Sequence, residues 1–143
     1  MRHFTYTLLI SIVLLSCGAS QQTYNDTTLD QTPEEDIVRI ANDDIEYEIV
    51  IIEPGFNSWL ASVARPPGYY SQSFLESRNT VLVQEWNIRT LQPNRFDPNR
   101  YEMQIDYNPN IDYGYDVNYQ LYNYFIYFQL TYKQKLSSFV PRI

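Results

Sequence analysis

VNYQLYNYFIYFQLTYKQKL, residues 117–136, is the stretch that decides the fold. Val117, Leu121, Phe125, Phe128, Tyr132 and Leu136 recur at spacings of four, four, three, four and four. That is the period of one face of an α-helix. Gln120, Asn123, Thr131 and Gln134 fall opposite. The reading is an amphipathic helix of about five to six turns whose apolar stripe must bury against another element.

The nearest partner upstream is Tyr70 to Leu91, read as a longer helix. Phe74, Val81 and Ile88 repeat every seven residues there, with Leu75, Leu82 and Trp86 beside them. Phe56 to Ala64 reads as a short helix, bounded by Glu53-Pro54-Gly55 and by Arg65-Pro66-Pro67-Gly68. Ile45, Tyr47, Ile49 and Ile51 alternate with polar or outward positions, which signals a strand. Tyr101, Met103, Ile105 and Tyr107 alternate with Glu102, Gln104 and Asp106, a second strand signal and a natural partner for the first. Residues 92–112 are otherwise rich in turns. The fold class expected is α+β: a small single domain with two or three amphipathic helices and a short two-stranded antiparallel sheet.

The ends read differently. Arg2 and His3 precede Phe4–Leu15, an uncharged and mostly apolar run of about 12 residues. That length suits the h-region of a signal peptide (~7–15) and is too short for a membrane span, which needs roughly 20. Leu14-Leu15-Ser16-Cys17 resembles the bacterial lipobox, in which the cysteine receives diacylglycerol, becomes the first mature residue and is usually N-acylated. Residues 1–16 are then the signal peptide, and two or three acyl chains at Cys17 hold the protein to a membrane. Gly18 stands where the familiar inner-membrane retention signal has Asp, and residues 18–25 lack an acidic cluster. Both features lean toward the periplasm-facing leaflet of the outer membrane. Residues 17–44 are polar and acidic, with Asp26, Asp30, Glu34, Glu35, Asp36, Asp43 and Asp44 against Arg39 alone. They read as a flexible tether, followed by the globular domain, 45–136, and a fraying tail, 137–143.

Composition excludes much chemistry. The chain carries a net charge of −7, and loss of Arg2 with the signal peptide lowers it by one more unit. Nucleic acid and anionic membrane surfaces are poor partners for such a chain. The single histidine is His3 and the single cysteine is Cys17. The mature domain therefore offers no imidazole or free thiol for triad catalysis, zinc sites or disulfides. No phosphate loop or serine-nucleophile motif occurs, and no cofactor is implied.

Three groups of residues are candidate sites. Asp106, Asn108, Asn110 and Asp112 place oxygens at every second position, as calcium loops do. Ile111 and Val117 stand where such a loop needs Gly and Glu, so a turn that caps the following helix is the preferred reading. Arg78, Glu85 and Arg89 share one side of the long helix. They form either a clamp for a carboxylate or acidic glycan, with Trp86 beside it, or a structural ion pair at the core edge, and the second is preferred. Trp59, Tyr69 and Tyr70 flank the Pro-Pro-Gly turn and can stack on sugar rings or on a peptide, or simply supply core.

Gly55-Phe56-Asn57-Ser58-Trp59-Leu60, Tyr69-Tyr70-Ser71, Glu85-Trp86-Asn87-x-Arg89, Ile105-Asp106-Tyr107-x-Pro109-Asn110-Ile111-Asp112-Tyr113-Gly114-Tyr115 and Asn118-Tyr119-x-Leu121-Tyr122-Asn123-Tyr124-Phe125 together resemble a domain of unknown function found in lipoproteins of Bacteroidota. The resemblance implies an envelope lipoprotein and supplies no activity. The leading functional expectation is non-enzymatic binding or scaffolding of an envelope protein or glycan at the periplasmic face of the outer membrane. The rival is a carboxylate-dependent hydrolase of glycans such as peptidoglycan, with Glu85 and Asp106 or Asp112 as its pair.

Overall fold

The computed structural model describes residues 36–141 and 143. Residues 1–35, with Cys17, the segment read as a signal peptide and most of the segment read as a tether, lie outside the described residues. The elements run β1 (Ile37–Asn42), β2 (Tyr47–Ile52), α1 (Phe56–Ser62), α2 (Gln72–Thr90) and α3 (Gly114–Thr131), with one 3₁₀ turn between the strands. The two strands pair antiparallel, with Ile37 opposite Ile52 and Ile40 opposite Ile49. Three helices and a two-stranded sheet make this a small α+β domain. Among the described residues no helix is long and apolar enough to cross a membrane.

α3 is central. From Val117 to Gln129 only Gln120 and Tyr127 are not buried, and the helix touches α2, β1 and α1. A helix buried on nearly every side is a core helix, not an amphipathic one. Its polar residues conceal this in the sequence because they satisfy themselves locally. Asn118, Asn123 and Gln129 each donate a side-chain amide to the carbonyl four residues back: Gly114, Tyr119 and Phe125, at 2.8, 2.8 and 3.0 Å. The helix also stops earlier than expected. Lys133 adopts φ 51°, and the Gln134 N–H reaches back to the Gln129 carbonyl at 3.1 Å. This is a Schellman stop made without glycine. Leu136 still returns to the core, its N–H donating to Gln129 Oε1 at 2.9 Å.

The sheet corrects the domain boundary. β1 lies inside the 17–44 segment that reads as tether. Val38 is 1 % exposed and Ile40 0 %, so the domain takes in β1 and does not start at residue 45. The strand is short and set among acidic residues, and Arg39 and Glu48 pair across its outer face. Asn42 turns the chain by accepting from the Asp44 N–H, and its amide donates to the Tyr113 carbonyl at 3.0 Å, tying the hairpin to the start of α3.

β2 therefore pairs with β1, not with Tyr101–Tyr107. That segment is irregular, and Met103 is exposed. Its backbone is satisfied by side chains of α2. Asn87 accepts from the Ile105 N–H and donates to the Ile105 carbonyl, both at 2.8 Å, as a neighbouring strand would. Trp86 Nε1 donates to the Met103 carbonyl at 2.9 Å.

α2 starts where Ser71 accepts from the Phe74 N–H. Its buried residues are Leu75, Asn79, Leu82, Val83, Trp86 and Arg89, whereas Val81 and Ile88 are exposed. Two of those six positions are polar, which shifts the apparent apolar register by one residue. α1 starts at Gly55, whose φ of 78° and whose approach to the Tyr127 hydroxyl leave no easy place for a side chain.

Candidate functional site

The described residues enclose a cleft of about 880 Å³ between α2, α3, the turn before α2 and the segment after α3. α2 contributes Phe74 and Arg78, and α3 contributes Tyr122 and Ile126. The rim is the turn Pro66-Pro67-Gly68-Tyr69. The Tyr69 N–H closes it on the Pro66 carbonyl at 3.1 Å, and Gly68 takes φ 86°, the sign a type II turn needs at its third residue. Two hydroxyls of α3 pin this rim. Tyr115 accepts from the Gly68 N–H at 2.6 Å, and Tyr119 donates to the Arg65 carbonyl at 2.7 Å. Arg65, Tyr69 and Tyr70 are thereby held at the mouth.

Inside, Tyr70 stacks on Phe74 with ring centroids 4.6 Å apart, and Tyr122 meets both rings edge-on. The Arg78 guanidinium lies 3.6 Å from the Phe139 ring centroid and 5.0 Å from that of Phe74. Arg65 lies over Tyr69 at 5.0 Å and donates Nη2 to the main-chain oxygen of Ile143 at 2.9 Å. The tail, expected to fray, instead forms a wall of the cleft through its described residues, 137–141 and 143, because Phe139 and Ile143 find cationic partners there. Among the described residues no Asp or Glu lines it, in a chain of net charge −7.

The remaining candidate residues lie elsewhere. Trp86 is in the core, against Tyr101, Phe125 and Phe128. Trp59 packs on Phe56 and Tyr127, away from Tyr69 and Tyr70. Trp59 therefore does not share a groove with Tyr69 and Tyr70, and Trp86 is no part of an open site. Arg89 is 9 % exposed and fully engaged: Nε to Glu85 Oε1 at 2.8 Å, Nη1 to the Tyr101 hydroxyl at 2.8 Å and Nη2 to the Lys135 carbonyl at 2.5 Å. Glu85 and Arg89 thus clamp the chain to itself, joining α2 to the segment before α3 and the segment after it.

In the calcium-like loop the oxygens serve the turn. Asn108 Oδ1 accepts from the Asn110 N–H and side-chain amide, and Asp112 Oδ1 accepts from the Gly114 N–H and from Gln72 Nε2. The Asp106 carbonyl accepts from the Tyr47 hydroxyl. Among the described residues no cluster of three or more His, Cys, Asp or Glu side chains could hold a metal.

With this geometry in view, the sequence of the whole chain can be placed. A family model matches residues 5–141. The chain belongs to the family of unknown function DUF6146. No curated protein and no solved structure matches it. The match takes in every described cleft residue of this DUF6146 chain except Ile143.

One carboxylate of the DUF6146 domain is out of place. Glu53 is buried, and among the described residues its carboxylate accepts from the Tyr132 hydroxyl, Oε1 at 2.8 Å. Burial raises its pKa above the usual carboxylate value against the lowering effect of that hydrogen bond. Burial, then Glu53 itself, pushes the Tyr132 hydroxyl up to about 12. Glu53 lies on the core side and does not line the cleft. The cleft residues that sequence reasoning passed over as core or tail are Phe74, Tyr122 and Phe139. The available signal was the paired Phe139-Val140 in a tail otherwise polar or proline-bearing, since a tail with nothing to cover has no use for a large ring.

Proposed function

We propose that this DUF6146 chain is a non-enzymatic lipoprotein of a bacterial envelope, anchored through Cys17 at the periplasmic face of the outer membrane and binding a partner or glycan in the cleft. The cleft is the observation that carries the binding role. It is of ligand size, walled by aromatic rings, and bordered by two guanidiniums with no side-chain carboxylate among its described residues. The anchoring half rests on Leu14-Leu15-Ser16-Cys17 at the end of an apolar run. That run lies almost wholly within the sequence that matches the family, as does Cys17. The carboxylate-hydrolase alternative gains no support from Glu85 or Asp112, which are spent on Arg89 and on the helix start.

Crosslinked capture from the protein's own envelope tests both halves. The wild-type chain is expected in the membrane fraction, recovering a specific partner or glycan. Cys17→Ser is expected to leave that fraction, and Tyr70→Ser to lose the partner while melting as a folded domain. An anchored Cys17→Ser chain sinks the lipoprotein reading. Capture unchanged by Tyr70→Ser sinks the cleft as the site.

A further inference from the structure

Resting on the cleft as the binding site, we infer that its ligand is a small ring-bearing acid, a sugar carrying a carboxylate or phosphate, whose anionic group is received by Arg78. The two arginines of α2 make the case. Arg78 and Arg89 are eleven residues apart, about three turns, so they share a face some 16 Å apart along the axis. Both sit over aromatic rings. Arg89 has three oxygen acceptors for its N–H groups. Arg78 has none: among the described residues it makes no hydrogen bond and no ion pair. Ring contact engages the faces of a guanidinium and leaves its five in-plane donors free. A fork of free donors beside an aromatic wall is the geometry that takes a carboxylate or phosphate in bidentate fashion.

Charge points the same way. Arg65 also lines the space, and no described Asp or Glu does. The neutral wall speaks for a sugar body. It mixes ring surface with the hydroxyls of Tyr69, Tyr70 and Ser138, which make no hydrogen bond among the described residues. Sugars present apolar C–H faces and hydroxyl edges together, and such a wall answers both.

Calorimetric titration of the full-length lipidated protein in detergent, with paired probes, tests this. N-Acetylmuramic acid against N-acetylglucosamine isolates a carboxylate, and glucose 6-phosphate against glucose isolates a phosphate. In at least one pair the acid is expected to bind tenfold or more tightly than its neutral partner, and the pair that responds names the anion. The preference should shrink as salt rises. Arg78→Gln should abolish it and Arg78→Lys should restore part. Should Arg78→Gln melt early, Arg65→Gln and the salt series on wild-type protein carry the same decision. Equal binding of acid and neutral sugar in both pairs, or a preference that survives Arg78→Gln, overturns the inference. If Tyr70→Ser still abolishes capture from the envelope in that event, the site stands and only the ligand class falls.

Discussion

The two ends of α2 hold the same pieces, an arginine among aromatic rings, and use them in opposite ways. At the Arg89 end each guanidinium nitrogen meets an oxygen, and Trp86, Tyr101, Phe128 and Tyr132 interlock around the guanidinium's neighbours. Three separate chain segments converge on one cation, which makes it a fastener. At the Arg78 end the rings open into a cleft, and the cation has faces covered and donors free. An arginine is thus assigned to structure or to recognition by whether the fold supplies acceptors, not by its neighbours in sequence.

The largest expected effect separates the aromatic shells. Phe128→Ala at the closed end should cost about 3–5 kcal/mol, and Phe74→Ala at the open end, where the ring is half-buried, about 1–2 kcal/mol. Urea denaturation of both variants measures it, and equal losses would mean that the cleft is as much core as the closed end. Next come the cations. Arg89→Gln removes the partner of Glu85, the Tyr101 hydroxyl and the Lys135 carbonyl, for about 2–3 kcal/mol after allowance for the partial exposure of Glu85. Arg78→Gln forfeits only ring contact, under about 1 kcal/mol. A reversal of that order in the same denaturation series would remove the distinction between fastener and free cation.

The smallest effect concerns the buried acid near the closed end. The folded pKa of Glu53 is raised, so its contribution to stability is fully present below the unfolded glutamate value of about 4.3 and is lost as pH rises through the folded value. Glu53→Gln keeps an acceptor for the Tyr132 hydroxyl and removes the charge. It should melt above wild type at pH 7, with the gap closing toward pH 4. Thermal melts across that range decide it, and a variant that melts lower at pH 7 would show that the ionised form is favoured in the fold.

Local pattern carried the helices and failed at particular places for particular reasons. α1 and α2 were legible within a few residues because Gly55, Ser71 and the Pro-Pro-Gly turn punctuate them in sequence. The α3 stripe was legible, but its burial on nearly all sides was not, since Asn123, read as part of a wet face, and the polar Asn118 and Gln129 are bonded to their own helix. β1 was hidden in an acidic context. The Tyr101–Tyr107 alternation suggested a strand that Asn87 and Trp86 of α2 replace with side-chain partners. At the candidate site, Tyr69, Tyr70 and Arg78 were singled out in sequence. The structure parts Tyr69 and Tyr70 from Trp59, and Arg78 from Glu85 and Arg89, because adjacency on a helix or across a turn says nothing about which acceptors arrive from elsewhere.

Residue chemistry and short-range periodicity sufficed to set the fold class, the central place of residues 117–132 and the absence of imidazole and thiol beyond Cys17. Those properties depend on composition or on neighbours within one helical turn. The pairing of β1 with β2, the return of Phe139 onto Arg78 of α2 and the different fates of Arg78 and Arg89 depend on groups brought together from far along the chain. Satisfaction of a buried donor is a property of the place where the chain puts it, and no local pattern encodes that place.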